Sequence, residues 1–160
     1  MTKTNTTPAT AADPTVAAAS AQFLTPVVLG LQALAVNGKQ AHWNVRGANF
    51  IAIHELLDTL VANAQAGADQ AAERIVALGL PVDARVGTIA GKTSTAVPAG
   101  FTQWEALIRD VISDMDAVIA DTQAAIDGLD EFDLTSQDVA IGIKETLEKD
   151  RWFLFAHLAE

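Results

Sequence analysis

Along two stretches of the chain, Leu24 to Leu78 and Trp104 to Leu158, apolar side chains recur at intervals of three and four residues, the spacing that gathers them on one face of an α-helix. Alternating β-branched runs are nearly missing, tyrosine is absent, and alanine, the best helix former, is abundant. The expected fold class is all-α. Asp13-Pro14 offers an N-cap and a proline at the first helical position, and Leu24, Val27, Val28, Leu31, Leu34 and Ala35 carry helix A to about Val45. After a tight hairpin at Arg46-Gly47-Ala48-Asn49, helix B begins near Asn49. Its stripe is Ile53, Leu57, Leu60, Ala64, Ala71, Ile75 and Leu78, and Gly79 and Pro81 stop it. Thr102 and Glu105 read as a capping box opening helix C, whose apolar face runs from Trp104 through Leu107, Val111, Met115 and Val118 to Ile126 before Gly128. Helix D starts at Thr135 or Ser136 and continues through Val139, Ile143, Leu147, Leu154 and Leu158 to the chain end.

Between helices B and C, Leu80 to Gly100 contains Pro81, Gly87, Gly91, Pro98 and Gly100, a long crossover with room for one short helix around Val86 to Lys92. Two helical hairpins joined by one long crossover have the ferritin-like connection pattern of a four-helix bundle. With 160 residues, half of them apolar, the chain supports one domain, residues 13–160, behind a polar, flexible tail at residues 1–12. The lack of cysteine removes thiolate nucleophiles, iron–sulfur clusters, cysteine-ligated zinc and disulfides together. Any metal must therefore use His, Asp or Glu. No uninterrupted apolar run approaches the roughly 18 residues of a membrane span, and the N-terminus lacks an apolar signal region, so a cytoplasmic protein with no membrane partner is expected. Ten basic against twenty acidic side chains give a net charge of −10, which repels a phosphate backbone and attracts cations.

The segment VGTIAGKTS from Val86 resembles a phosphate-binding loop, but only three residues separate Gly87 from Gly91 where the motif has four, and no strand precedes it. It reads as a solvated loop. The histidines and carboxylates of helix B carry more. His54, Asp58, Asp69 and Glu73 follow one another at steps of four, eleven and four. At about 100° per residue, with Ile53 at zero, the apolar stripe falls between about −20° and +40°, and these four residues fall at about 100°, 140°, 160° and 200°. They form a second stripe facing away from the subunit's own core, with Ala62 and Gln65 between them. His42, just ahead of the hairpin, should lie beside the first turns of helix B. A lone acid on such a face is ordinary solvation, but two imidazoles and three carboxylates converging suit iron, manganese or zinc. His157, near the chain end, reads as structural.

Asp58 and Asp69 are separated by about 16 Å of helix, whereas the ligands of one metal all lie about 2 Å from it. One chain cannot close the site. If helix B packs antiparallel against its own two-fold mate, His54 and Asp58 of one subunit face Asp69 and Glu73 of the other, giving two equivalent sites per dimer.

The run His42-Trp43-Asn44-Val45 with Gly47 and Phe50, then His54-x-x-x-Asp58, ten residues, and Asp69-x-Ala71-Ala72-Glu73-Arg74 with Leu78-Gly79, resembles the ferroxidase signature of the Dps mini-ferritins, the DNA-binding proteins from starved cells. The C-terminal DLTSQD and LEKDRWFLFAHL are similar to that family's last helix, so the resemblance covers roughly residues 15 to 159. It implies a hollow dodecamer with iron sites at two-fold interfaces. It also implies oxidation of Fe(II), mainly by hydrogen peroxide and otherwise by oxygen, storage of ferric iron inside, and protection against oxidative stress. Carried over, Glu73 and Asp69 bind a first iron, and the facing subunit's His42, His54 and Asp58 complete the pocket and weakly hold a second, a two-metal site. Trp43 matches a tryptophan the family keeps near the site, where an indole intercepts one-electron oxidants; a hairpin core aromatic is the plainer role. Trp152 and Phe153 are assigned to packing. Asp127, Asp130, Glu131, Asp133 and Asp138 cluster around the C-D turn, a region that in the family lines three-fold pores admitting Fe(II); Asp133 or Asp138 could instead serve the helix D N-terminus. The tail departs from the family's basic DNA-binding tails, with Lys3 its only basic residue, so DNA is not an expected partner.

Two other classes use the same residues. A metal-dependent hydrolase would let the His/carboxylate pocket lower the pKa of a bound water and cleave an amide or ester. A non-enzymatic shell would compact DNA, against which the tail composition argues.

Overall fold

A computed structural model describes Thr10 and residues 12 to 158. The tail expected at residues 1–12 lies outside the described residues except for Thr10 and Ala12. Helix α1 spans Pro14–Asn44, with the Asp13 carboxylate accepting from the Thr15 N–H at 2.8 Å. Pro26 removes one backbone donor without ending α1, and the neighbouring Thr25 hydroxyl donates to the Ala21 carbonyl at 2.6 Å. Helix α2 spans Phe50–Ala77 and stops at Gly79, whose φ of +90° only glycine adopts freely. The short α3, Val86–Lys92, interrupts the crossover where a helix was expected. Helices α4, Trp104–Leu129, and α5, Leu134–Ala156, complete the bundle.

In the bundle α1 lies beside α2 and α4, and α5 beside α2 and α4, so α1 is diagonal to α5. Leu24, Leu31 and Leu34 meet Ile53, Leu57, Leu60 and Ile75 from α2 and Leu107, Met115 and Leu147 from the other hairpin, all essentially without exposure. Each such side chain stabilises the fold by about 1.5–3 kcal/mol relative to an exposed one. Helix α1 is long and apolar enough to cross a membrane, with mean hydropathy 1.5 over an 18-residue window, yet more than half of that window is buried in the bundle. The expectation drawn from uninterrupted runs missed this, because intervening polar residues do not stop a helix from being apolar on average.

Two local expectations are corrected. Thr102 does not cap α4: it lies in a two-residue strand, β2 (Thr102–Gln103), pairing in parallel with β1 (Val45–Arg46), and its hydroxyl donates to the Gly100 carbonyl at 3.1 Å. The fully buried Val45 draws the hairpin against the crossover's end, and this tertiary pairing outcompetes the capping box. Helix α5 begins earlier than expected because Asp133 caps it, accepting from the Thr135 and Ser136 N–H groups, and it ends at Ala156 rather than running to the chain end.

Candidate metal centre

The last turn of α1 and the second turn of α2 meet at the hairpin that the β1–β2 pairing holds down. Gly47 makes that hairpin possible. Its φ is +118°, and a Cβ there would come within 2.6 Å of Trp104 Cδ1, so both backbone conformation and space exclude a side chain. Arg46 stacks its guanidinium 3.8 Å over the Phe101 ring, a second tie between hairpin and crossover.

Across this hairpin, His42 Nδ1 lies 2.9 Å from the His54 carbonyl and His54 Nδ1 lies 3.0 Å from the His42 carbonyl. The rings stack with centroids 3.5 Å apart. A nitrogen facing a carbonyl carries the proton, so each Nδ1 is the donor and each Nε2 keeps its lone pair, with no protein partner among the described residues. This is how metal-binding imidazoles are commonly held: one ring nitrogen tied to a backbone oxygen, the other presented. Asp58, one turn beyond His54, brings Oδ1 to 3.3 Å from His42 Nδ1, and one ligand atom from each of His42, His54 and Asp58 lies within 4.8 Å of the others. The donor set of imidazole and carboxylate fits iron.

Asp69 and Glu73 are not part of this cluster. They stand exposed further along α2 with Ala62 and Gln65, on the stripe expected to face outward, whereas the first stripe is buried. Trp43, beside His42, has 63 % of its surface exposed, which overturns the hairpin-core reading for the isolated subunit. Trp152 is equally exposed, so its assignment to packing fails within the subunit as well, while Phe153 is half-buried against it at 4.9 Å.

At the other end of the bundle Asp127, Asp130, Glu131 and Asp138 are exposed, with Asp127 accepting from Gln123 at 2.7 Å and Asp130 from Gln137 at 3.1 Å. Asp133 faces inward. Besides capping α5 it pairs with Arg74 at 2.8 Å and accepts from Ser20 at 3.1 Å. Burial alone would raise its pKa, but hydrogen bonds from Ser136 and Arg74 outweigh it and bring the carboxyl down to about 2.

Sequence reasoning missed Lys39. Its ammonium pairs with Asp58 Oδ1, and this hydrogen bond is the main reason the Asp58 pKa lies below the ordinary carboxylate value. The signal was available: Lys39 is the only lysine between Lys3 and Lys92, and it sits three residues before His42, one turn back on the same helix. It also missed Asp150, a buried acid on α5 that accepts from the Asn63 amide at 2.8 Å and whose pKa burial raises.

Four long helices, one long crossover and a His/carboxylate cluster at a helical hairpin define a ferritin-like protein, and residues 28–160 match the ferritin-like domain family. A DNA protection during starvation protein from Mycolicibacterium smegmatis is 37 % identical over 123 residues, which are 75 % of this chain and 66 % of that protein, so the chain spans just under two thirds of that relative. One from Agrobacterium fabrum is 36 % identical over 132 residues, 79 % of this chain and 80 % of that protein. A Dps from Microbacterium arborescens, solved in a high iron form, superimposes with a TM-score of 0.93 at 74 % identity, covering 94 % of this chain and 99 % of that one. The chain belongs to the Dps family.

Proposed function

We propose that this protein is a mini-ferritin that oxidises Fe(II) at sites shared between two subunits and stores ferric iron in a hollow shell of twelve. The observation that carries this reading is the divided ligand set: His42, His54 and Asp58 gather at the hairpin, while Asp69 and Glu73 are left exposed along the same face of α2. An antiparallel second copy of α2 would bring its Asp69 and Glu73 to the first copy's hairpin. Family membership supports a role in iron storage and DNA protection.

Iron is substrate here, not a resident cofactor. Glu73 and Asp69 supply anionic oxygen, which favours Fe(III) over Fe(II) and so lowers the potential of the bound ion, and the imidazole Nε2 atoms complete the shell. Hydrogen peroxide is the proposed oxidant, taking one electron from each of a pair of ferrous ions and leaving as water, with oxygen as a slower substitute. Removing both reagents of hydroxyl-radical chemistry protects DNA without contact, which suits a chain of net charge −10. Trp43, exposed next to His42, would quench stray one-electron oxidants. Exposed Asp127, Asp130 and Asp138 would concentrate Fe(II) where three subunits meet, with Asp133 supporting the turn from within; the site of action is the cytoplasm.

The test is anaerobic Fe(II) loading followed by peroxide, read as ferric absorbance in the assembled protein. Rapid oxidation with iron retained in a particle near twelve subunit masses is expected, and Glu73→Gln should slow it at least tenfold with the assembly intact. Wild-type rates in that variant remove Glu73 from the site, and turnover of an amide or ester with redox-inactive zinc would replace the reading with hydrolysis.

A further inference from the structure

Glycine inside a helix weakens it relative to alanine and usually answers to close packing. Gly67 on α2 does so: a Cβ there would come 3.3 Å from Leu31 Cδ1 and 3.5 Å from Ile143 Cγ1, and the missing side chain lets α2 and α5 approach. Gly142, one residue before Ile143 on α5, does not, because no atom outside its own stretch of helix lies within 4 Å of the place its Cβ would take. It borders a crevice of about 140 Å³ between α2 and α5. The floor of the crevice is apolar and reaches the core, where Leu31 and Leu147 are each 1 % exposed. Asn63, Gln70 and Thr146 form its polar rim, and no charged side chain lines it among the described residues.

The open hydrogen-bonding capacity of that rim leans toward acceptors. Asp150, 6 % exposed, accepts from Asn63 Nδ2 at 2.8 Å, which fixes the amide and leaves its Oδ1 without a partner among the described residues. The Thr146 hydroxyl gives its proton to the Gly142 carbonyl at 3.0 Å, so its oxygen has only lone pairs to offer. We infer that the crevice binds a small neutral molecule with an apolar body and one hydroxyl donor, the class of which phenol is the simplest member. Its ring would rest on Leu31 and Leu147 and its hydroxyl would donate at the rim, to Asn63 Oδ1 or Thr146 Oγ1. The size fits: a cavity of about 150 Å³ lined by Leu, Ile and Phe admits one benzene ring. The neutral lining selects against ionic guests, which would lose hydration without gaining a counter-charge. None of these residues belongs to the proposed metal centre, so the two readings stand or fall separately.

Titration calorimetry of the assembled full chain with phenol and with anisole tests the assignment. Phenol is expected to saturate at one per subunit with a Kd of about 1 mM or tighter, within reach of a ligand of so few atoms. Anisole, which keeps the ring and loses the donor, should bind at least fivefold more weakly. Gly142→Leu, which places a side chain in the crevice from the α5 side, should weaken phenol at least tenfold with the assembly unchanged in sedimentation. Ala66→Leu, filling it from the α2 wall, should do the same and stands in should the first variant assemble poorly. No saturable phenol in wild type would overturn the site, as would anisole bound as tightly as phenol, which would leave the rim without a role. Phenol binding unaltered in an assembled leucine variant would overturn it too, by placing the ligand elsewhere.

Discussion

His42 and His54 orient each other: each ring's Nδ1 donates to the other's backbone carbonyl, at 2.9 and 3.0 Å. Neither imidazole needs a separate supporting residue, because the backbone of one is the support of the other. The arrangement demands that the end of α1 and the start of α2 stay in one register, and it turns any disturbance of the hairpin into a disturbance of both imidazoles at once.

The proposed sharing of the site between subunits predicts complementation. A variant lacking His54 and Asp58 and another lacking Asp69 and Glu73 should each be inactive. Mixed by dissociation and reassembly, about half the dimers are hybrids and half their sites are whole, so about one quarter of wild-type peroxide-driven oxidation should return. Mixtures verified to contain hybrids but no more active than their parents would place all ligands of a site in one subunit.

Gly47→Ala should be costly. A side chain at φ +118° adds strain of about 1–3 kcal/mol, and the Cβ would overlap Trp104 and Gln103, at 2.6 and 2.8 Å. Thermal unfolding should fall by several degrees or more, and metal affinity should fall with it because the hairpin sets both imidazoles. An unchanged melting temperature would show that the hairpin relaxes without loss.

Asp133 gives an acid-labile contribution. Its folded pKa of about 2 lies below the ordinary carboxylate value, so the stability it supplies is complete above about pH 4 and is lost as pH falls toward 2. Asp133→Asn should destabilise at neutral pH and flatten the acid limb of stability between about pH 4 and 2. Parallel acid limbs in the two proteins would assign the loss to other carboxylates.

Asp150 works in the opposite sense. Burial raises its folded pKa, so its favourable contribution is present below the ordinary carboxylate pKa and disappears as pH rises through the raised value. At pH 7 the buried charge costs stability, and Asp150→Asn, which still accepts from Asn63, should raise the melting temperature there by a few degrees. At pH 4 the difference should shrink; a variant less stable than wild type at pH 7 would mean that the Asn63 contact outweighs the desolvation.

The bundle and both stripes of α2 were legible because each rests on one number, the helical repeat, applied over many residues: Ile53, Leu57 and Leu60 are buried where the wheel put them, and Asp58 and Glu73 are exposed. His42 reached the site through a second inference, that a tight hairpin returns beside its own start. Thr102 misled because a capping box is a local pattern of two residues, and a tertiary pairing with Val45 displaced it. The pairings of Lys39 with Asp58 and of Arg74 with Asp133 were harder to see for a related reason: the position of Lys39 one turn before His42 marks it as near the site, not as paired. Charged side chains on helices are common, and only three-dimensional proximity distinguishes the two that reach across from those that point to water.

Helix α2 is gripped at both ends by different means: the crossed histidines at its start, and near its finish Arg74, locked to Asp133, which also takes the Ser20 hydroxyl of α1. A rod held at both ends neither rolls nor slides. The angular positions of Asp58, Asp69 and Glu73 are therefore set in the single chain before any partner arrives, and at the proposed shared site two subunits would need only to dock as rigid bodies for their half-sites to register. Assembly, on this construction, is an act of alignment rather than of refolding.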